Sequence, residues 1–117
     1  MNVVSLRRTD GSGACDRCYV ADTLWARTRG LLGRAELGPG EGLLLRRTGS
    51  VHTLFMRFSI DVVFLDGELS VLSVRPRVLP WRFVGQRGAK ATLELPAGAA
   101  GRAGITPGTQ LQVTDCY

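Results

Sequence analysis

The chain of 117 residues lacks long apolar runs. No stretch approaches the roughly 20 apolar residues that a membrane-spanning helix needs. The N-terminal segment MNVVSLRRTDG has no apolar core long enough for a signal peptide. Internal repeats and low-complexity segments are absent as well. The sequence therefore argues against a membrane protein or a repeat protein, and we expect a cytoplasmic location.

Histidine and lysine are almost missing, because His52 and Lys90 are the single examples of each. The 15 basic residues are therefore nearly all arginine, and they exceed the ten acids to give a formal net charge of +5. Guanidinium groups suit bidentate recognition of carboxylate or phosphate. A nucleic-acid surface usually concentrates its basic residues on one face, whereas these are dispersed along the chain. We expect a solvated basic surface, with a weak nucleic-acid or polyanion surface as the alternative, so nucleic acid is not the expected partner.

The composition is that of an ordinary folded domain. Apolar residues make up 44% of the chain and charged residues 21%, as in typical soluble proteins. A chain of this length can bury one core but not two. We expect a single domain over residues 1–117, and a monomer.

Cysteine is scarce, with three examples in the chain. Cys15 and Cys18 form a CxxC pair that could share a zinc ion, with Cys116 and His52 completing a four-ligand shell. A strong zinc motif has a second closely spaced ligand pair, which this sequence lacks. A thioredoxin-like motif opens a helix, whereas this one follows the turn-rich segment DGSG. We therefore expect reduced thiols that are exposed or half-buried and no cofactor, with the zinc set as the alternative.

Short apolar segments separated by glycine and proline predict a mostly-β domain. Strands are predicted at 3–6, 19–21, 43–45, 60–65, 69–74, 91–95 and 111–113. One helix is predicted, with Thr23 as its N-cap and Gly33 at its end. The predicted fold class is α+β: a small barrel or strongly curved antiparallel-rich sheet with one packed α-helix.

The most informative segment is SVHTLFMRFSIDVVFLDGE, residues 50–68. Side chains alternate along a strand, so Asp61 shares a face with apolar neighbours. An ionised carboxylate there needs an arginine or main-chain amides as partners, and Arg27, Arg29 and Arg57 are the candidate arginines. Asp61 is therefore either a structural group or a residue that contacts a ligand.

Two further polar residues accompany this strand. His52 has the chemistry of a general base or a ligand-binding group, or it is simply packed. Glu94 alternates with Leu93 and Leu95 and supplies a second carboxylate. No activated nucleophile can be tied to these groups, so the sequence does not favour an enzyme.

Several segments together resemble a known family. They are ADT (21–23), RTRGLLGR (27–34), GLLL (42–45), HTLFMRFSIDVVFLD (52–66), LELPAG (93–98) and GITPG (104–108). They are similar to the uncharacterised prokaryotic family catalogued as domain of unknown function 192, over about residues 19–113. The resemblance implies a mostly-β fold with one helix and no established activity.

The chain follows the family pattern at His52, Met56 and Asp61 and departs from it at two positions. Ser59 stands where proline is usual, and Thr109 stands where an aspartate is frequent.

These observations predict a non-catalytic binding module for a small anionic ligand or an acidic peptide group. The candidate ligand-binding residues, expected to converge on one edge of the barrel, are Arg29, His52, Met56, Arg57, Asp61 and Glu94. A first alternative is a small hydrolase that uses His52 with Asp61 or Glu94. A second is a purely structural or interaction domain, which would have an exposed apolar patch and no pocket. The expected partner is a small anion or a protein, not a membrane.

Overall fold

The computed structural model of this protein describes residues 2–21, 37–54 and 56–116. Its elements are β1 (Asn2–Arg8), β2 (Gly13–Ala21), β3 (Glu41–Arg46), β4 (Ser50–His52), β5 (Ile60–Leu65), β6 (Val71–Val78), β7 (Phe83–Gly85), β8 (Ala91–Pro96), α1 (Ala99–Arg102) and β9 (Leu111–Cys116). The helix predicted between Thr23 and Gly33, with Arg29 inside it, lies outside the described residues. No described helix is long and apolar enough to cross a membrane.

Seven strands form one mixed sheet in the order β6-β5-β8-β3-β2-β1-β9. Neighbouring strands are antiparallel except for β2 and β3, which are parallel. The strands β4 and β7 pair with each other as a separate two-stranded ribbon. The mostly-β prediction is confirmed, with one short helix in the described part of the chain.

The seven-stranded sheet is not closed into a barrel. Its edge strands β6 and β9 meet at one end, through an isolated bridge between Ser70 and Gln110. Backbone hydrogen bonds from Val71 to Thr109 and from Leu111 to Leu69 surround this bridge. Because strands lie about 4.8 Å apart, edges of seven strands can meet only if the sheet bends. The barrel prediction is therefore corrected to an open sheet whose edges touch at one end.

Both faces of the sheet are apolar, and we call them face A and face B. Face A carries one core cluster, which includes Leu44, Val63 and Leu93. Face B carries a second cluster, which includes Val62 and Leu45. All six residues of β5 are buried, as expected for a continuously apolar strand in the middle of a sheet.

The ribbon packs on face B. Val51 of β4 belongs to the face B cluster together with Met56 and Val62. Its neighbours along β4, Ser50 and His52, alternate to the outer side of the ribbon. The ribbon thus covers part of the sheet and presents a second surface outwards.

Three local features differ from the sequence predictions. The second strand begins at Gly13 rather than at residue 19 and contains the CxxC pair. The ribbon was not predicted, because each of its strands has three residues, which is too few to show an alternating pattern. The helix α1 lies in a segment for which no helix was predicted.

Gly42 provides a test of the close packing between β3 and its neighbours. A Cβ atom at Gly42 would lie 2.7 Å from Cys15 Sγ and 3.0 Å from the backbone oxygen of Glu94. Because that oxygen belongs to the sheet ladder, the clash cannot be relieved by a side-chain rotation. We expect Gly42→Ala to lower the free energy of unfolding by roughly 1–3 kcal/mol, measured by urea denaturation.

The matched control is Gly101→Ala, because a Cβ at Gly101 meets no atom within 4 Å. This change in α1 should be neutral or stabilise the protein by up to about 1 kcal/mol. Equal losses in both variants would contradict the packing account.

Candidate functional site

Asp61 is buried on face A, with 1% of its surface exposed. Its Oδ1 accepts a hydrogen bond from the Arg77 amide at 2.9 Å. Its Oδ2 accepts from the amides of Gly98 at 3.1 Å and Ala100 at 2.9 Å. Among the described residues, main-chain amides rather than a guanidinium group thus supply the compensation that a buried carboxylate requires. Two of the candidate arginines, Arg27 and Arg29, lie outside those residues.

These hydrogen bonds give Asp61 a structural role. Arg77 and Gly98 both have left-handed backbone conformations, with φ of 50° and 90°, so their amides leave the regular ladder. The carboxylate accepts hydrogen bonds from both of these amides and from an amide in the first turn of α1. These bonds join β5 to β6 and to the helix. Both carboxylate oxygens are therefore engaged inside the protein.

The sequence-predicted site residues are divided between the two sides of the sheet. Met56 belongs to the face B cluster. Glu94 is fully buried and pairs with Val62 across β8 and β5, so it also lies on face B. Asp61 pairs with Leu95 on face A. The structure therefore does not bring Asp61 together with Met56 and Glu94, and Arg57 is exposed at the surface.

His52 lies on the ribbon, on the side of the sheet opposite to Asp61. Its Nδ1 accepts a hydrogen bond from the Leu54 amide at 3.3 Å, and its ring centroid lies 6.1 Å from that of Phe83. The sheet separates His52 from Asp61, so these residues do not form an acid–base pair. Glu94 is fully buried and does not face an open cleft.

The CxxC thiols are buried, which corrects the expectation of exposed or half-buried thiols. Cys15 is 2% exposed and Cys18 is 0% exposed. A register shift between β1 and β2 places two residues, Asp16 and Arg17, opposite Ser5. This bulge turns both cysteines to face A, although residues three apart in a regular strand point to opposite faces.

The environment of Cys18 keeps its thiol protonated. A hydrogen bond with Cys15 and burial both raise the pKa of Cys18. The pair lies in the face A cluster, whereas His52 lies beyond face B, so the four-ligand zinc set does not come together. The Cys116 side chain lies outside the described part. Within that part, no group of three or more potential metal-binding side chains is found.

A hollow of about 650 Å³, which we call the basic hollow, opens at one end of face A. Apolar residues form its floor: Leu44, Leu69, Ala91 and Val113. The polar residues on its rim are Arg46, Arg47, Asp66 and Lys90. Arg46 pairs with Ala91 across β3 and β8, which brings it close to Lys90.

The electrostatics of the basic hollow favour an anion. Three cationic side chains meet one carboxylate, Asp66, whose Oδ1 accepts hydrogen bonds from the amides of Glu68 and Ser70. Among the described residues, no ion pair involves Arg46, Arg47 or Lys90. The sequence analysis missed this hollow, because the fold is needed to bring Lys90 close to Arg46 and Arg47.

The fold defines a small mostly-β domain built on one mixed sheet. The sequence matches the family DUF192, described as an uncharacterized ACR, over residues 6–113. The chain therefore belongs to this family, as the sequence segments indicated.

The chain is similar to archaeal proteins named UPF0127. A UPF0127 protein of Thermococcus sibiricus is 37% identical over 98 residues, which cover 80% of this chain and 63% of that protein. A UPF0127 protein of Pyrococcus abyssi is 36% identical over 68% of this chain and 70% of its own length. The chain thus spans less than two thirds of the Thermococcus relative.

Two solved structures have a similar fold. One is a Sinorhizobium meliloti protein described as a candidate transcription regulator, with a TM-score of 0.81, 22% identity, and coverage of 96% of this chain and 92% of that one. The other is a Novosphingobium aromaticivorans protein of unknown function, with a TM-score of 0.80, 26% identity, and coverage of 94% and 84%. At 22% identity the likeness to the Sinorhizobium meliloti protein shows the fold alone.

Replacing the buried carboxylate tests the structural role of Asp61. Asp61→Ala leaves three buried or partly buried amides without their acceptor. We expect a loss of about 3 kcal/mol or more in the free energy of unfolding, measured by urea denaturation followed by circular dichroism. The control is Asp66→Ala, whose two amides lie in a turn that water reaches; its loss should be about 1 kcal/mol. An equally small loss for Asp61→Ala would contradict the assignment.

The buried thiols can be tested by labelling. In a Cys116→Ser variant, Cys15 and Cys18 should react slowly with a thiol reagent at pH 8, because burial and the raised pKa of Cys18 keep the reactive thiolate scarce. Both should react rapidly in urea. Native protein that labels as fast as unfolded protein would contradict this description.

Proposed function

We propose that this protein is a binding module for a small anion that carries an apolar body, and that the ligand occupies the basic hollow. The observation that carries the proposal is the meeting of Arg46, Arg47 and Lys90 above an apolar floor. This retains the ligand class predicted from the sequence but moves the site away from Asp61 and His52.

The lining residues suggest how such a ligand would be held. Arginine binds carboxylate or phosphate through two parallel hydrogen bonds, while lysine adds a flexible point charge. The apolar floor suits a short hydrocarbon or amino-acid side chain attached to the anionic group. The volume of about 650 Å³ falls within the range of small-molecule sites. The ligand class is therefore a small carboxylate or phosphate, including an acidic peptide group.

Arg47 strengthens the case for a built site. Its φ of 57° is left-handed, a conformation that costs a non-glycine residue free energy and that is concentrated at functional positions. Two consecutive exposed arginines, Arg46 and Arg47, therefore stand at the end of β3.

Thermal-shift and calorimetric titrations test the proposal with inorganic phosphate, acetate and a series of longer carboxylates. We expect longer carboxylates to raise the melting temperature more than acetate, because they also reach the floor. Arg46→Ala combined with Arg47→Ala should weaken binding by about tenfold or more, equivalent to 1.4 kcal/mol.

The control is Arg17→Ala combined with Arg102→Ala, which removes the same charge from exposed positions outside the hollow. It should leave the affinity unchanged. A panel in which no anion raises the melting temperature would refute the proposal, as would equal weakening in the two double variants.

A further inference from the structure

Two stretches of the sequence carry basic residues and no acidic ones. Residues 42–60 contain three arginines and no acid, and residues 69–93 contain five basic residues and no acid. These stretches include both strands of the ribbon and the adjoining strand β6. Three of these eight basic residues, Arg46, Arg47 and Lys90, line the basic hollow, whereas Arg75 and Arg82 lie beside the ribbon.

The same region exposes large apolar side chains. Leu79 is 52% exposed, Trp81 56% and Phe83 74%. They stand at every second position of a segment that bends at Pro80 and Trp81, and Arg82 lies between the two aromatic residues in sequence. Exposed apolar groups of this size at adjacent positions mark an interaction surface.

The backbone that carries these side chains is fixed by Thr53, which is fully buried. The Thr53 amide donates to the Arg82 carbonyl at 2.8 Å, and the Trp81 amide donates to the Thr53 carbonyl at 2.9 Å. The Thr53 hydroxyl donates to the Leu79 carbonyl at 2.7 Å and accepts from the Arg82 amide at 2.9 Å. Trp81 itself has a left-handed φ of 66°. The aromatic residues are thus displayed on a rigid and strained loop.

Two guanidinium groups are held beside this loop by backbone oxygens. Arg82 Nη1 donates to the carbonyls of Pro80 and Trp81 at 3.4 Å. Arg75 Nη2 donates to the Gly85 carbonyl of the ribbon, also at 3.4 Å. In the part of the chain that the structure describes, neither forms an ion pair. Their charges remain available to an anionic partner.

The ribbon adds a shallow apolar hollow of about 400 Å³, which the inward-facing Val51 and Val84 help to line together with His52 and Phe83. The rings of His52 and Phe83 meet there at an interplanar angle of 56°. A flat ring entering this hollow would find an aromatic edge and aliphatic walls.

We propose that the ribbon and the loop 79–82 bind single-stranded nucleic acid. Bases stack on Trp81 and Phe83, while Arg75 and Arg82 bind phosphates. Aromatic rings and guanidinium groups thus share one short stretch of surface, which is the combination that stacks bases and binds phosphates in proteins that bind single strands. The expectation that nucleic acid is not a partner rested on arginines dispersed along the sequence, whereas this proposal rests on two guanidinium groups that lie beside exposed aromatic rings.

Fluorescence anisotropy with a labelled 20-nucleotide oligo(dT) tests the proposal across a series of salt concentrations. We expect binding that weakens as salt rises. Trp81→Ala combined with Phe83→Ala should weaken it about tenfold or more with little change in salt dependence. Arg75→Ala combined with Arg82→Ala should lower the slope of log affinity against log salt by about one to two. Circular dichroism verifies that both variants fold.

Three controls give outcomes that overturn the proposal. A double-stranded oligonucleotide of the same length should bind more weakly than oligo(dT), and equal or tighter binding would indicate charge attraction alone. Arg17→Ala combined with Arg102→Ala should bind oligo(dT) nearly as wild type does, and a loss equal to that of the Arg75 and Arg82 variant would likewise refute a specific site. Binding to phosphatidylserine vesicles that requires Trp81 and Phe83, in the absence of oligo(dT) binding, would assign the surface to a membrane instead.

Discussion

The buried carboxylate of Asp61 is the interaction on which the arrangement of face A depends. It accepts hydrogen bonds from three amides that belong to β6, to a left-handed glycine and to α1. Those amides have no place in the strand ladder, and buried donors without acceptors are costly. The Asp61 side chain therefore stabilises three irregular features of the backbone. They are the left-handed residue near the end of β6, the turn at Gly98 and the start of the helix α1. A charged residue occurs in this apolar strand because it accepts hydrogen bonds from backbone amides that would otherwise lack an acceptor.

This arrangement separates polar groups that build the fold from those that face a partner. Asp61 and Thr53 are buried and bind backbone atoms. The arginines at the basic hollow and beside the ribbon are exposed. Because long cationic side chains are rarely buried without partners, the surface is where a chain with one lysine and 14 arginines displays its charge. The two proposed sites use different parts of that surface, one concave and one ribbon-shaped.

Sequence reasoning succeeded where a pattern extended over enough residues. The apolar run from Ile60 to Leu65 identified the central strand, and alternation placed Asp61 among apolar neighbours. It failed where the fold depends on single irregularities. The bulge at Asp16 and Arg17 turns both CxxC thiols inwards, and no pattern in the sequence predicts this bulge. The basic hollow joins Arg46 to Lys90 across a strand pairing that the sequence does not display.

Among the described strands, β6 pairs with β5 on one side, and most of its other edge has no neighbouring strand. Unpaired edges invite other chains to add strands, which leads to aggregation. Arg75, Pro76 and Arg77 are consecutive and exposed on this edge. Proline has no amide hydrogen to offer, and two like charges repel an identical edge. These three adjacent residues thus disfavour the addition of a further strand at this edge of the sheet.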